Sequence, residues 1–582
     1  MKKSDTSVKI LLFIICAVIF MYHLGSALPI IESEKFYYQS VKEMFARHDW
    51  ITPYYQGQFR FQKPILFYWL VSLSYLVFGV TNFGVRFPSA LFGVLSVIFT
   101  FNIGRKLFDR KTGLAAAGIL ATTLIFFMYS RYASPDMTLT FLVVYSIYLF
   151  MKGSKNPERN KGFFIAFFAV LGLAIMAKGL VGFLLPLIVV LSFMISSKKW
   201  KLLRALNIPY GMLIVLAIGL PWYIMMYVLH GDKYINNIVI RENITRLFYL
   251  PNSEPGTPLL LTYIKNLFYY VPNLLVWFLP YCIFLPAALV DSFKSKKTYS
   301  LERDSYKLIL SYFLGIFVFF SVISAKEYYY LLPLTPAFSL MIARYFINLE
   351  ERKTLFKSVA FNIGYVAVIL VYTLGVFGVL YTMRHIYAAR VSAYEYVMML
   401  APLVIIVPWV RKKSISMIFA IPVAIALFLL FLAGRAVPLF NDKTLPAFAD
   451  EIKMSIVPGD KVGVGSVDIS QQRLAIYLDM PIEEVNIKLK EPDPTAPHKE
   501  KLKKFLSSGN KVYLVIAQDD YAALIPEDLK RSLVIIDERD MWKTRLKRTL
   551  NKDAIAEVLK GKKDILKDVL RHKVFLLTNK KI

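Results

Sequence analysis

The chain is built largely from apolar blocks of about 17–25 residues, and few folds can accept such blocks. They lie near 8–28, 64–80, 87–103, 113–130, 137–151, 162–177, 180–197, 208–229, 266–290, 306–323, 329–347, 358–381, 393–410 and 414–434. Roughly 20 apolar residues in a helix cross ~30 Å of hydrocarbon. Inside a bilayer every backbone N–H and C=O must be satisfied by the chain itself, so the blocks are expected to be packed helices. Aromatic residues make up 15% of the chain, in keeping with belts of Tyr and Trp at membrane interfaces. Cys16 and Cys282 both lie in apolar blocks, which points to neither a disulfide framework nor a zinc cluster. The first block follows Lys2 and Lys3. It is too long for a secretory leader and shows no small-residue cleavage site, so it is expected to be a retained span.

The net charge of +30 does not indicate a nucleic-acid partner. Its basic residues sit in short clusters between apolar blocks: Arg105 to Lys111, Lys152 to Lys161, Lys198 to Arg204, Lys294 to Lys307, Arg344 to Lys357 and Arg411 to Lys413. That is the pattern of cytoplasmic loops, with phosphate-bearing membrane lipids as further partners. All these clusters and the N-terminus fall on the cytoplasmic side only if one block does not cross. Block 64–80, which opens with Pro64 and carries Tyr68, Trp69 and Tyr75, suits an interfacial helix. Thirteen spans are therefore expected, with the C-terminal tail outside; fourteen spans would instead put the tail in the cytoplasm.

From about Asn441 the composition changes. Short apolar runs at Val462–Val467, Val512–Ala517, Leu533–Ile536 and Val574–Thr578 alternate with charged amphipathic stretches such as Lys552–Val569. A small α/β domain over 441–582 is expected, following a membrane domain over 1–440 whose loop 29–86 carries interfacial helices.

With thirteen spans, the polar residues that can do chemistry gather outside. Glu32 and Glu34 follow the first span, where a carboxylate can accept a proton from an acceptor hydroxyl; solvated loop acids are the alternative. Lys63 precedes the interfacial helix at headgroup level, suited to a lipid phosphate or to plain anchoring. Asp136 opens one span and Lys178 closes another, a pairing of boundary charges that is structural or catalytic. Arg246 can grip a phosphate in bidentate fashion, and Tyr330 can add a neutral donor. No Walker loop, zinc-protease helix or Rossmann glycine pattern appears. An outward-facing enzyme without nucleotides needs a donor delivered through the membrane, and a polyprenyl-phosphate sugar meets that need.

At these residues the chain resembles the membrane glycosyltransferases related to aminoarabinose lipid A transferase and the protein O-mannosyltransferases, a GT-C type family. The resemblance covers about residues 20–345. It is carried by Glu34-Lys35-Phe36-Tyr37 with Glu43-Met44 and Asp49-Trp50, Lys63-Pro64 with Tyr68-Trp69, and Arg86-Phe87-Pro88. Ser134-Pro135-Asp136, Ala177-Lys178-Gly179, Pro221-Trp222-Tyr223, Asn243 with Arg246, and Tyr330-Leu331-Leu332-Pro333 continue it. It implies a bundle of about thirteen transmembrane helices with periplasmic surface helices, and a polyprenyl-phosphate-sugar donor whose phosphate meets Lys63, Arg246 and Tyr330. Lys178 and Asn243 support them. The family's acidic pair places its Asp where this chain has Ser33, so Glu34 or Glu32 stands in as base, with Asp136 in support. The lipid A enzymes hold a metal through a Glu before Lys-Pro and a His before Asn. Gln62 and Glu242 occupy those positions here, so no cofactor is assigned and a divalent metal is left open.

The reading is a glycosyltransferase of the bacterial inner membrane, acting on the periplasmic face with inversion at the anomeric carbon. The acceptor is a lipid such as lipid A, a glycan or a protein. A polyprenyl-lipid flippase, or a noncatalytic scaffold presenting the tail, are the rivals. A flippase needs polar groups along a continuous path, whereas here charge collects at one face, and the repeats common in transporters are not evident. A reporter fused after Lys580 is expected to be periplasmic and one inserted at Asn156 cytoplasmic. A cytoplasmic Lys580 fusion, read by paired phosphatase and fluorescent-protein reporters, would show that block 64–80 crosses.

Overall fold

The computed structural model describes the chain apart from residues 1, 27–32, 246–258, 299–300, 388–389, 391–392, 401, 442, 467–468, 481, 486–494, 543–570 and 581–582. The chain divides into two compact units. One comprises Met1–Ala27, Phe36–Leu380 and Ser392–Val437, and the other Leu28–Lys35, Tyr381–Val391 and Pro438–Ile582.

The first unit is helical. It opens with α1 (Lys2–Met21), α2 (Glu34–Arg47), a hairpin of β1 (Tyr54–Tyr55) and β2 (Gln58–Phe59), and α3 (Leu66–Phe78). Then come α4 (Asn82–Leu107), α5 (Arg110–Thr122), α6 (Leu124–Ser130), α7 (Pro135–Lys155), α8 (Lys161–Lys178) and α9 (Leu180–Ser197). Among the described residues eight helices are long and apolar enough to cross a membrane, or up to ten if each of two bent pairs is one span. The pairs are α5 with α6, bent by 68°, and Ile208–Gly219 with Pro221–His230, bent by 45°. At the first bend Thr123 is extended, which ends one run of i→i−4 bonds and starts another. At the second, Pro221 opens the new helix and can donate no hydrogen bond back.

That tally is three short of the thirteen spans expected. Block 8–28 lies mostly in α1, whose first half carries Lys2, Lys3, Asp5 and Lys9. Block 266–290 is broken into Leu259–Phe268, Tyr270–Trp277, a 3-10 turn at Tyr281–Phe284 and Leu285–Thr298, with Pro272, Pro280 and Pro286 along it. Block 393–410 likewise breaks into short pieces ending in Pro402–Val410. Proline removes a helix donor and crowds the preceding turn, so apolar length alone overstates continuity here. Block 64–80 forms α3, of 13 residues. At 1.5 Å per residue it measures about 20 Å, too short to cross ~30 Å.

Two features close the helices onto one another. Arg131 Nη1 donates to the carbonyls of Phe20 (2.9 Å) and Tyr22 (2.8 Å), and Arg86 Nη1 donates to Leu24 O (3.0 Å). The two guanidinium groups thus satisfy carbonyls at and beyond the end of α1, where the helix dipole favours positive charge. At the turn between α4 and α5, Asp109 caps α5 by accepting from Thr112 N at 2.8 Å. There Gly104 faces Gly113: a Cβ on Gly113 would lie 2.7 Å from Phe101 O, and one on Gly104 2.9 Å from Gly113 Cα.

The second unit contains a five-stranded mixed sheet. Its strands are β3 (Lys461–Val464), β4 (Glu483–Glu484), β5 (Val512–Ala517), β6 (Val534–Trp542) and β7 (Arg571–Thr578), in the order β4-β3-β5-β7-β6. β3 runs parallel to β4 and β5, while β7 runs antiparallel to β5 and β6. Every residue of β5 is buried. Tyr513, Val515 and Ala517 join one apolar cluster and Val512, Leu514 and Ile516 another. Two-sided burial is why this strand reads as an unbroken apolar run. The four expected runs all appear as strands. The two-residue β4 carries Glu483 and Glu484 and gave no such signal, and Lys552–Val569 lies outside the described residues.

The close approach of α4 and α5 makes Gly113→Ala a test of their packing. The added methyl must push the helices apart, which typically costs about 1–3 kcal/mol. A lower thermal midpoint of the detergent-solubilised protein is expected, read by size-exclusion after heating.

Candidate active site

Residues 36–69 form a knot held by the residues that carried the resemblance. Glu43 accepts from the backbone N–H groups of Gln56 (2.7 Å) and Gly57 (3.0 Å). Both turn residues have positive φ, 52° and 76°, as a two-residue hairpin turn requires. Asp49 Oδ1 accepts from Ile51 N and Thr52 N at 2.9 and 3.0 Å. Trp69 donates to Trp50 O at 2.8 Å, and Trp222, from the helix Pro221–His230, donates to Ile51 O at 2.9 Å. His230 ends that helix, lies 2.8 Å from Thr52 Oγ1, and packs its ring on Phe59 and Phe61. Glu43, Asp49, Trp50, Trp69 and Trp222 thus share one structural role, which is to fix the loop ahead of Lys63.

Lys63 Nζ lies 3.0 Å from Glu242 Oε2. Glu242 sits in a π-helical turn, Asn236–Thr245, which ends one residue before Arg246. The backbone of Asn243 belongs to the same turn; its side chain, with Glu32 and Arg246, lies outside the described residues. Glu242 is the partner that sequence reading missed, because 179 positions separate it from Lys63. The same pair bears on a metal. Glu242 is engaged by an ammonium group, and among the described residues no three His, Cys, Asp or Glu side chains converge. Gln62 and Glu242 do not fit a metal site.

A second cluster lies where α7 begins and α8 ends. Ser134 caps α7, accepting from Asp136 N at 3.2 Å, and its hydroxyl donates to Asp136 Oδ2. Lys178, the last residue of α8, forms an ion pair with Asp136 Oδ1. Gly179 stops α8 there with φ +67°. The Lys178 ammonium also lies 5.4 and 5.0 Å from the ring centres of Tyr329 and Tyr330, in a 3-10 turn over Tyr328–Leu334. Asp136, Lys178 and Tyr330 are therefore brought together. Tyr329 was missed, although the run Tyr328-Tyr329-Tyr330 offered a hint.

α2 packs on the start of α3. Tyr37 is buried against Phe67 and Tyr68, and Arg60 donates to the Tyr68 hydroxyl at 3.1 Å. Burial, with Tyr68 and Asp136 nearby, pushes the Tyr37 hydroxyl well above the usual phenol range, against the pull of Arg60. Asp136 therefore lies within electrostatic reach of α2. Glu34 opens this helix one turn before Tyr37 and is fully buried, whereas Ser33 is exposed. The helix N-terminus favours its negative charge. Four residues before Tyr330, Lys326 donates to the carbonyls of Phe320 and Ser321 at 2.7 Å each, and burial pulls its ammonium down to about 8.

Residues 62–225 match the family described as dolichyl-phosphate-mannose-protein mannosyltransferase. The undecaprenyl phosphate-alpha-4-amino-4-deoxy-L-arabinose arabinosyl transferase of Edwardsiella ictaluri is 30% identical over 53% of this chain and 54% of its own length. Its Yersinia enterocolitica counterpart is 29% identical over 59% and 60%. The chain thus spans between half and three-fifths of the length of these relatives. The crystal structure of ArnT from Cupriavidus metallidurans bound to undecaprenyl phosphate superposes with a TM-score of 0.69 at 18% identity, covering 98% of both chains. That likeness shows the fold, a membrane helical bundle followed by a small α/β region. The resemblance drawn from the motifs holds in sequence and in fold.

The buried pair yields a stability test. Removing one partner of a buried ion pair typically costs about 3–5 kcal/mol, because the other charge stays buried. Asp136→Asn and Lys178→Met are each expected to lower the thermal midpoint. The double variant is expected to be more stable than the worse single one, and strict additivity would show that the pair is not coupled.

Proposed function

We propose that the chain is a membrane glycosyltransferase of the kind its relatives represent, moving a sugar from a polyprenyl-phosphate donor to an acceptor at the periplasmic face of the bacterial inner membrane. The observation that carries the reading is the gathering of Asp136, Lys178 and Tyr330 where α7 begins and α8 ends, with Asp136 in electrostatic reach of α2. Lipid A is the acceptor that the resemblance to the aminoarabinose enzymes implies; a glycan or protein acceptor uses the same chemistry. The same proposal places a domain boundary at 440/441 and the 441–582 domain in the periplasm.

In this reaction the acceptor oxygen forms a bond to the anomeric carbon as the bond from that carbon to the phosphate oxygen breaks. The leaving polyprenyl phosphate takes the electron pair, and the acceptor proton goes to a carboxylate. Glu34 is the first choice for that base, since it is buried at the start of α2, and Glu32 is the second. Lys63, Arg246 and Tyr330 stabilise charge on the departing phosphate. Asp136 holds Lys178 against the Tyr330 ring and so positions that tyrosine, and Asn243 is the supporting residue that the resemblance implies. A single displacement inverts the anomeric centre.

Lys63 meets Glu242 before it meets a donor, so donor binding exchanges one anion for another. Lys63→Ala is expected to raise the donor KM about tenfold or more, the scale of one charge-assisted contact. Glu242→Gln is expected to lower it by removing a competing carboxylate, and unchanged KM in both variants would remove Lys63 from the donor site. Glu34→Gln is expected to cost ~10²-fold or more in kcat with donor binding intact. Full turnover in Glu32→Gln/Glu34→Gln would remove the base from this loop. Each is read by mass spectrometry of the acceptor after incubation with polyprenyl-phosphate sugar.

A further inference from the structure

The second unit holds a cavity of about 480 Å³ that the sugar-transfer chemistry does not use. Four separate segments line it, contributing Tyr387, Lys443, Arg539, Asp540, Trp542 and Arg571. Two of these segments arrive from long apolar helices. Tyr387 lies two residues after the helix Val359–His385, and Lys443 three residues after Ser414–Phe440. A chain extends at most ~3.6 Å per residue. The lining is therefore tied to within roughly 10 Å of two apolar helix ends, the depth of lipid headgroups.

Its chemistry suits a phosphate. Trp542 and Tyr387 stack with ring centres 4.8 Å apart and planes at 27°. The Arg571 guanidinium lies 4.7 Å from the Trp542 ring centre and 5.7 Å from that of Tyr387. The aromatic pair thus lies against the Arg571 guanidinium. Arg571 Nε is buried and has no hydrogen-bond partner among the described residues, and a buried donor left unmade is costly unless a ligand satisfies it. Three lining cations stand against the single acid Asp540. Arg539 is largely engaged, with Nε bonded to Asp537 and Nη2 3.9 Å from Glu451. Lys443, which is exposed, and Arg571 remain as the principal anion-binding pair.

We propose that this cavity binds the phosphate of an anionic lipid headgroup, tethering the second unit to the bilayer surface. The site does not depend on the sugar-transfer reading, because its test measures lipid binding and not turnover. Free phosphate has the same recognition chemistry and is the competing source.

The protein in detergent would be titrated with phosphatidylglycerol and phosphatidylcholine and read by native mass spectrometry. The wild type is expected to prefer phosphatidylglycerol, and Arg571→Gln to reduce that preference about tenfold, with Arg571→Lys retaining part of it. Lys443→Ala is expected to reduce it too, and it supplies the reading if Arg571→Gln does not fold. Lys296→Ala/Lys307→Ala, which removes two cations from the first unit, is expected to leave the preference intact. A preference unchanged in Arg571→Gln and Lys443→Ala would overturn the site. Displacement of the lipid by millimolar inorganic phosphate alone would overturn the headgroup as its source.

Discussion

The ion pair of Lys178 with Asp136 is the interaction on which the candidate site depends. Both side chains are mostly shielded, 14% and 9% exposed, where an unpaired charge would be strongly disfavoured. The pair is tolerated because neighbours complete it. Ser134 binds the carboxylate, and the rings of Tyr329 and Tyr330 face the ammonium. It joins the start of α7 to the end of α8, and so sets the spacing of the hairpin mouth on which the tyrosine turn rests.

Much of the polar chemistry around that mouth is architectural. The Glu43 carboxylate is taken up by two turn N–H groups, Asp49 by two more, and Trp69 and Trp222 by loop carbonyls. A loop beside a membrane cannot rely on water for every backbone group, so side chains supply the missing partners. The consequence is a stretch of sequence dense in acids and aromatics, which looks like a catalytic array until each partner is traced. Among the candidates, Lys63 meets Glu242, and Asp136 meets Lys178 beside the Tyr330 ring.

Glu34 and Ser33 show how burial separates neighbours that spacing cannot. Both follow the first span, and alignment to the family's acidic pair favours the position held by Ser33. In the fold Ser33 is exposed and Glu34 is fully buried at the first turn of α2. A carboxylate so placed is shielded from water, which its exposed neighbour is not.

The sequence by itself determined the membrane class, because blocks of that length and apolarity have no other stable solvent. It also determined four strands of the α/β unit, since two-sided burial leaves unbroken apolar runs such as Val512–Ala517. The opposition of Asp136 and Lys178 at span boundaries was legible too, because charge there is costly enough to be informative. Only the tertiary structure decided the partners of Lys63 and Arg571. Glu242 reaches Lys63 across 179 positions, and Arg571 reaches Tyr387 from the last strand. Helix continuity was likewise beyond the hydropathy pattern. Apolar length measures what hydrocarbon will accept, while prolines and bends decide how far each helix runs before it breaks.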